Sequence, residues 1–446
     1  MVEPTLCRLR SRCKIGSTEE TRNGKGLRSM SDEQKTADII VVGAGPAGLM
    51  AAIAASERGA SVRVCEHLDR PGLKLLATGG GHCNISNTLP EPEFMARFGK
   101  RGRFMSPALK AMGRDALCGF LAGLGAPTHS PDGFKVFPVS NSARTVQEAL
   151  VRRCKKNGVE IRTGMAAKAL SLAMEGVTGV ETSAGFVRTP TVILASGGKG
   201  YRDLGGSGSG FEMAERAGHR IVKPVPALVP LVARDAWVGD LAGVSLPEVR
   251  IGINLPKRSR QGVAGEMLFT HRGVSGPAVL DISGDISELL ESRDSVPLCV
   301  NLLSQVSLEE WGARFDSWRE KEGRKRIANL LDWHLPSSLA RTVGDLAGIP
   351  KETTGASLTR DQRRKLIERL MSLEIAITAT EGFEQAMVTR GGVSLKEVNP
   401  DTLESRIVPR LFFAGEILDL DGPTGGFNLQ WAFSSGYLAG ASAAGG

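Results

Sequence analysis

Gly43, Gly45 and Gly48 directly follow an apolar run at residues 39–42. Glycine at the first position permits a tight turn, and glycine at the second lets the backbone approach a pyrophosphate without a Cβ in between. Glycine at the third lets a helix pack close to the strand, and the amino end of that helix offers amides and partial positive charge to phosphate oxygens. The chemistry that this spacing predicts is the binding of a dinucleotide diphosphate.

An acidic residue, Glu66, follows the next apolar strand at residues 61–65 and stands 23 residues after Gly43. This separation is close to the ~20 residues expected for the acid that binds the ribose hydroxyls of a dinucleotide. The order of strand, glycines, helix, strand and acid is more specific than the glycines alone. The alternative is an ordinary strand-to-helix turn that binds no ligand.

A second set of residues near the carboxyl end has the chemistry to bind a flavin ring. A short apolar strand at residues 411–416 is followed by Asp421, and then by glycines that open a helix near Asn428. The acid can bind a ribityl hydroxyl, and the helix amino end can face the N1–C2=O edge of the ring, where reduced flavin is negative. Together the two motifs predict FAD, and the alternative for the second one is a structural turn.

The elements that position these motifs alternate between strands and helices. A helix over residues 142–156 leads into a strand at 159–162, and short alternating runs over 165–196 predict an antiparallel meander. Residues 220–300 form a β-rich stretch, and residues 307–371 are charged and helical. The pattern predicts an α/β nucleotide-binding domain that is interrupted by a β unit and a helical unit.

Composition limits the class of protein. A chain of 446 residues with 41% hydrophobic and 23% charged residues is typical of a globular protein with two or three domains. The net charge is +8, but the first 29 residues hold seven Lys/Arg and three Glu, so they contribute +4 and leave about +4 for the rest. This charge is too mild to indicate nucleic-acid binding.

Cysteine use and hydropathy exclude further classes. The seven cysteines form no CxxC pair, so neither a metal site nor a dithiol redox pair is expected. Scattered cysteines are typical of a reducing compartment, and the sequence therefore predicts a cytoplasmic protein. The 18 uncharged residues between Asp38 and Glu57 are broken by Pro46 and three glycines, which favours the strand, turn and helix over a membrane span.

The sequence resembles the BaiN/aminoacetone-oxidase-like family of NAD(P)/FAD-dependent oxidoreductases. The resemblance covers roughly residues 38–440 and rests on motifs at 43–48, 78–84, 265–271, 273–278, 391–393, 404–405, 413–416 and 421–430. It implies an FAD-binding Rossmann-like domain of the two-dinucleotide type, with a β-barrel-like insertion and a small helical one. His82 stands where many members have Arg, so the substrate of any one member does not transfer to this chain.

The resulting domain prediction has five parts. Residues 37–218 and 372–446 form the FAD-binding domain, residues 219–304 the inserted β-rich domain, and residues 305–371 the inserted helical domain. Residues 1–36 are either a disordered basic tail or the result of a start codon assigned too far upstream.

The predicted site combines cofactor contacts with two weaker catalytic candidates. His271 is a candidate catalytic residue that would donate a proton over the flavin. His82 is a second candidate, which would donate to the flavin or to the substrate. Cys83 lies next to the glycine loop but has no partner thiol nearby, which favours a structural role. The residues predicted to bind the cofactor are Gly43, Gly45, Pro46, Ala47, Gly48, Glu66, Lys74, Thr78, Gly80, Cys83, Asn84, Gly197, Gly415, Glu416, Asp421, Gly425, Gly426, Asn428 and Leu429.

The predicted function is hydride transfer between FAD and a small organic substrate of the amine or enone class. A second complete dinucleotide motif is missing, so NAD(P)H would bind only transiently, or the flavin would be reduced by substrate and reoxidised by dioxygen. Two alternatives remain open at this point: a flavoprotein that acts on RNA, and a flavin-binding protein without catalysis. The oligomeric state is not predicted.

Overall fold

The structure is a computed structural model that describes residues 37–256 and 262–445. The predicted tail, residues 1–36, lies outside the described residues. The helices are α1 (Pro46–Ser56), α2 (Leu73–Ala77), α3 (Glu91–Ala96), α4 (Ser106–Ala111), α5 (Arg114–Gly123), α6 (Ala143–Lys156), α7 (Ser209–Arg216), α8 (Ala236–Gly239), α9 (Pro277–Leu290), α10 (Leu308–Lys321), α11 (Ile327–Leu331), α12 (Ser337–Leu346), α13 (Arg360–Met371), α14 (Gly382–Gln385) and α15 (Phe427–Ala444). Short 3-10 turns lie at Thr78–Gly81, Gly99–Met105, Arg202–Leu204, Leu395–Glu397 and Gly415–Ile417.

The strands belong to a parallel sheet, a barrel and three small antiparallel sheets. They are β1 (Ile39–Val42), β2 (Val62–Cys65), β3 (Ser86–Asn87), β4 (Thr128–His129), β5 (Lys135–Pro138), β6 (Glu160–Arg162), β7 (Ala167–Ala173), β8 (Gly176–Thr182), β9 (Gly185–Arg188), β10 (Thr191–Leu194), β11 (Ile221–Ala227), β12 (Leu231–Ala233), β13 (Ser245–Ile253), β14 (Val263–Phe269), β15 (Gly273–Ser275), β16 (Val296–Asn301), β17 (Leu373–Thr380), β18 (Val388–Val393) and β19 (Leu411–Phe413).

The parallel sheet has the strand order β19-β10-β1-β2-β6. All four residues of β1 are buried, as expected for a central parallel strand that is covered on both faces. The last strand in the chain, β19, pairs in parallel with β10, which in turn pairs with β1. This pairing brings the carboxyl-terminal motif to the same edge of the sheet as the first glycine turn.

Helices α1 and α15 pack against each other through glycines on α15. A Cβ on Gly436 would lie 2.2 Å from the Ala47 carbonyl oxygen, and a Cβ on Gly440 would lie 2.1 Å from that of Ala51. The two backbones therefore touch directly, and no larger residue fits between them. This contact fixes the amino end of α15 relative to the glycine turn that opens α1.

Gly440→Val is expected to destabilise the protein by about 1–3 kcal/mol, because the added side chain must push α15 away from α1. Urea unfolding of the variant and the wild type measures this loss. Gly123→Val is the matched control, since a Cβ at Gly123 in α5 meets no atom within 4 Å. Equal stability of the two variants would contradict the close helix contact.

The inserted unit contains a closed barrel with the order β12-β15-β14-β13-β16-β17. Helix α9 packs against the barrel strands, and α10 to α13 form a small helical unit between β16 and β17. The antiparallel pair β11 and β18 leads into and out of the insertion. The predicted α/β architecture with an inserted barrel and a small helical unit is confirmed.

The structure differs from the sequence prediction in one domain boundary and in one element. Strand β17 closes the barrel, whereas the sequence prediction puts residues 372–380 in the FAD-binding domain. The β-rich stretch also contains α9, a helix of 14 residues. Its apolar residues Val279, Ile282 and Ile286 recur with helical spacing and are buried, but the surrounding glycines and prolines hide this period among turn signals.

Candidate functional site

A cavity of about 1130 Å³ lies at the edge of the parallel sheet where the two sequence motifs meet. The early residues Gly45 and Glu66 line it together with the late residues Gly426 and Asn428. The carboxyl ends of parallel strands are the usual place for a ligand in such sheets. One crevice therefore joins the predicted adenine end to the predicted ring end.

The three glycines of the first turn have different structural roles. Gly43 has φ +97°, and a Cβ there would lie 2.5 Å from the Ala195 carbonyl oxygen. A Cβ on Gly48 would lie 1.9 Å from the Gly43 carbonyl oxygen. At Gly45, by contrast, a Cβ would meet no protein atom within 4 Å, and this position faces the cavity. The open space above Gly45, at the amino end of α1, fits a pyrophosphate.

Glu66 ties the glycine turn to the end of β2. Its Oε2 accepts a hydrogen bond from the Ala44 amide at 2.7 Å, and its Oε1 accepts one from the Leu68 amide at 2.9 Å. Burial alone would raise the pKa of Glu66, but hydrogen bonds from His67 and from these two amides lower it below its ordinary value. The side chain is thus an ionised acceptor on the cavity wall, as ribose hydroxyls require.

Lys74 and Glu416 bind each other at the cavity wall. The Lys74 Nζ lies 2.7 Å from the Glu416 Oε2, and the Glu416 Oε1 accepts a hydrogen bond from the Thr389 amide at 2.9 Å. Both side chains also line the cavity. The pair presents little net charge to a ligand and fixes the loop after β19 against α2.

The ring end of the cavity is the amino end of α15, a helix of 18 residues. Gly426 precedes the helix at φ +86°, and a Cβ there would lie 2.4 Å from the Ser86 carbonyl oxygen. The Asn428 side chain closes the turn, because its Oδ1 accepts from the Gly422 amide at 2.9 Å and its Nδ2 donates to the Gly422 oxygen at 2.8 Å. The first residues of α15, Phe427 to Leu429, line the cavity. The free amides at a helix amino end can stabilise negative charge on a flavin ring.

Most of the predicted site residues line this one cavity. They are Gly43, Gly45, Pro46, Ala47, Glu66, Lys74, Thr78, Gly80, His82, Asn84, Gly197, Glu416, Gly425, Gly426, Asn428 and Leu429. Of the two candidate catalytic histidines, His82 is exposed and its Nδ1 lies 3.0 Å from the Asn141 carbonyl oxygen. Which of these residues contact a cofactor stays a prediction.

Five predicted residues lie outside the cavity lining. Gly48 and Gly415 pack inside the domain, and a Cβ on Gly415 would lie 2.8 Å from the Ala47 Cβ. Cys83 is buried, and burial raises the pKa of its thiol to about 12, which favours the structural role. His271 is exposed in the turn between β14 and β15 and is not one of the residues that line the cavity.

Asp421, the fifth, belongs to an ion-pair network instead of the cavity wall. The Arg390 Nε lies 3.0 Å from the Asp421 Oδ2, and an Arg390 terminal nitrogen lies 2.7 Å from the Asp285 Oδ1 on α9. Arg101 also pairs with Asp421, at 3.3 Å, and with Asp419. The network connects the inserted unit to the loop that precedes α15.

Asp419 gives this network a pH dependence. Burial raises the pKa of Asp419 to about 6, with Arg101 opposing the shift and Asp421 adding to it. The unfolded chain releases this proton near pH 4, so the folded state holds more protons between pH 4 and about 6 and loses stability as the pH rises through that window. Between pH 4 and about 6, the unfolding free energy of the wild type should fall by on the order of 2–3 kcal/mol relative to that of Asp419→Asn. Unfolding free energies of the two proteins that change in parallel across this pH range would contradict the prediction.

The sequence prediction missed several residues on the cavity wall. Asp281 and Leu280 reach the cavity from α9, Leu228 and Met387 lie near the β11 and β18 pair, and Tyr201 lies on the loop after β10. Gly276 followed by Pro277, the first residue of α9, is the one local sequence signal that could have pointed to this helix.

The described residues include no helix that is long and apolar enough to span a membrane.

Comparisons with known proteins identify the family to which the chain belongs. The family model described as the HI0933-like protein Rossmann domain matches residues 37–442. The chain is 34% identical over 408 residues to 3-dehydro-bile acid delta(4,6)-reductase of Clostridium scindens, which covers 91% of this chain and 98% of the relative. It is 31% identical over 405 residues to ribosomal RNA dihydrouridine synthase of Escherichia coli, covering 90% of this chain and 96% of the relative.

Among solved structures, the open conformation of a flavocytochrome c3 fumarate reductase superposes with a TM-score of 0.51. The match covers 93% of this chain and 79% of the other at 18% identity, so it supports the fold alone. The family resemblance predicted from the sequence is confirmed, as is the prediction of an oxidoreductase. The chain therefore belongs to the HI0933-like family of FAD-dependent oxidoreductases.

Proposed function

We propose that this protein uses FAD to reduce a carbon–carbon double bond conjugated to a carbonyl group. When bound, FAD supplies the hydride chemistry. The residues that would hold it are those of the glycine turn at Gly45, the acid Glu66 and the amino end of α15. The Clostridium scindens relative, which matches over nearly its full length, is named a delta(4,6)-reductase of a 3-dehydro-bile acid, and this name favours the enone class among the predicted substrates.

The observation that carries the proposal is the apolar wall beside the ring end. Leu228, Leu280 and Val388 form a buried cluster, and all three line the cavity together with Met387. They come from the inserted unit and its connecting strands, and they line the same cavity as the amino end of α15. An apolar carbonyl compound would bury its surface here, which is the usual driving force for binding in such clefts.

A second candidate substrate is a uracil base in RNA. The relative named ribosomal RNA dihydrouridine synthase matches over nearly the whole chain, and its name describes a uridine that has gained two hydrogens. The reduced bond of uracil is also conjugated to a carbonyl, so the chemistry is shared, whereas the substrates differ in size and in the negative charge of the RNA backbone. The mild net charge outside the first 29 residues favours the small molecule.

The experiment is anaerobic oxidation of the photoreduced holoenzyme by candidate substrates. We expect a cyclic enone to restore the oxidised flavin spectrum, whereas the corresponding saturated ketone leaves the flavin reduced. An RNA oligonucleotide containing uridine tests the second candidate in the same assay. If neither class oxidises the flavin, while an amine reduces the oxidised enzyme, the amine-oxidising alternative replaces the proposal.

NAD(P)H is the proposed electron donor and would bind transiently over the flavin. Mixing the oxidised enzyme with NADH or NADPH should bleach the flavin band, and failure of both would assign reduction to another donor.

The cytoplasmic location stays a prediction. The cysteines that the structure describes are free thiols, as is usual in a reducing compartment.

A further inference from the structure

We propose that Asp281 is a catalytic residue that donates the proton to the substrate carbon next to the carbonyl. This inference rests on the proposed reduction of a conjugated double bond. Asp281 lies on α9, which belongs to the inserted unit, and it lines the same cavity as the glycine turn and the amino end of α15. Nothing in the sequence motifs singles it out.

A hydrogen bond holds the Asp281 carboxyl group at the ring end of the cavity. Its Oδ1 accepts from the Thr424 amide at 2.7 Å. Thr424 stands two residues before Gly426, the residue that directly precedes α15. The carboxyl group therefore touches the loop that would meet the flavin ring, and Asp281 lines the cavity together with Leu228 and Leu280. A substrate bound between these surfaces would contact both the ring and the acid.

The surroundings of Asp281 shift its pKa upward, in the direction of the protonated form. Burial raises the pKa of Asp281, while the hydrogen bond from Thr424 and the positive charge of Arg97 oppose the rise without cancelling it. Asp285, one turn along α9, is neutralised by Arg390. A general acid works best when its pKa is near the working pH, and this carboxyl is shifted in that direction.

Among the residues that the structure describes, the other acidic side chains that line the cavity are less suited to donate this proton. Glu66 is held as a carboxylate by the amides of Ala44 and Leu68, and it lies at the adenine end. Glu416 is bound by Lys74. Burial raises the pKa of Tyr201, so its phenol releases a proton less readily than an ordinary tyrosine.

The proposed reduction adds two hydrogens to the double bond of the substrate, one as a hydride and one as a proton, so that its atoms and electrons balance. A hydride from the reduced flavin, which carries two electrons, forms a bond to the carbon remote from the carbonyl. The π electrons of the double bond then take the proton as the Asp281 O–H bond breaks and a C–H bond forms at the carbon beside the carbonyl. The flavin is left oxidised, and the Asp281 carboxylate regains its proton from solvent.

The test compares Asp281→Asn with the matched variant Glu288→Gln, which removes a carboxylate from the same helix outside the cavity lining. The asparagine oxygen can still accept from Thr424, so flavin content should match that of the wild type. Reoxidation of the photoreduced flavin by a cyclic enone should slow by about 100-fold or more in Asp281→Asn and stay unchanged in Glu288→Gln. Infrared spectra of the holoenzymes give a second readout: the wild type should show a protonated-carboxyl band that Asp281→Asn lacks.

The outcomes separate the two proposals. Slow reoxidation together with loss of the infrared band supports Asp281 as the acid. If the wild type reduces the enone and Asp281→Asn does so equally fast, or if Tyr201→Phe alone is slow, the role of Asp281 is overturned while the proposed function stands. If the wild type reduces no enone but carries the band, the proposed function fails and the donor role fails with it.

Discussion

The Gly45→Val variant is expected to fold like the wild type and to bind no stoichiometric FAD. Gly45 has φ −73° and ψ −178°, which any residue adopts, and its Cβ direction meets no protein atom within 4 Å. The valine side chain would instead occupy the space next to the amino end of α1 where the pyrophosphate must lie. We expect FAD affinity to fall on the order of 100-fold or more, which corresponds to about 3 kcal/mol.

Flavin released from the purified variant, together with its urea unfolding curve, measures both parts of this prediction. Gly119→Val is the matched control, because a Cβ at Gly119 also meets no atom within 4 Å, but this residue lies on α5 and outside the cavity lining. Gly48→Ala should behave in the opposite way and lose stability, since its Cβ would lie 1.9 Å from the Gly43 oxygen. A Gly45→Val protein that retains one FAD per chain would show that the phosphate does not bind at this turn.

Arg390→Met is expected to cost about 3–5 kcal/mol of unfolding free energy, because it leaves a buried carboxylate without its main partner. The Arg390 side chain is 16% exposed and the Asp421 side chain only 5%, so water replaces little of the lost interaction. Arg101 remains near Asp421, at 3.3 Å, and keeps the loss from being larger. The same change removes one of the links between α9 and the loop before α15, since Arg390 also holds Asp285, and leaves the hydrogen bond between Asp281 and Thr424.

A double variant isolates the buried pair. Asp421→Asn added to Arg390→Met should recover most of the stability, because the uncompensated charge is then gone. Arg188→Met, at an exposed position on β9, controls for the loss of any arginine. A loss below about 1 kcal/mol in Arg390→Met would place this network among ordinary surface ion pairs.

The first part of the site could be predicted from the sequence because its elements follow one another directly in the chain. The strand, glycine turn, helix, strand and acid of residues 39–66 are consecutive, so their contacts follow from spacing alone. The Ala44 amide and Glu66 meet because β1 and β2 are neighbours in register. Gly426 and Asn428 of the late motif line the same cavity because β19 joins this sheet through β10.

The rest of the site depends on contacts between distant segments. Asp421 precedes a glycine turn, and this position predicts a ligand of the ribityl chain. In the structure, Arg390, which stands 31 residues earlier in the chain, donates a hydrogen bond to Asp421. Asp281 stands in a stretch dominated by glycine and proline signals, which hide the helical period of α9. Its place on the cavity wall follows from how the barrel docks on the parallel sheet, and no local pattern records that docking.

A crystal structure of the protein with FAD tests the central claim most directly. The account predicts one extended FAD per chain, with its adenosine beside Glu66, its pyrophosphate above Gly45 and its flavin ring at the amino end of α15 near Gly426. FAD bound in the reverse direction, or in a place that leaves the space above Gly45 empty, would contradict it.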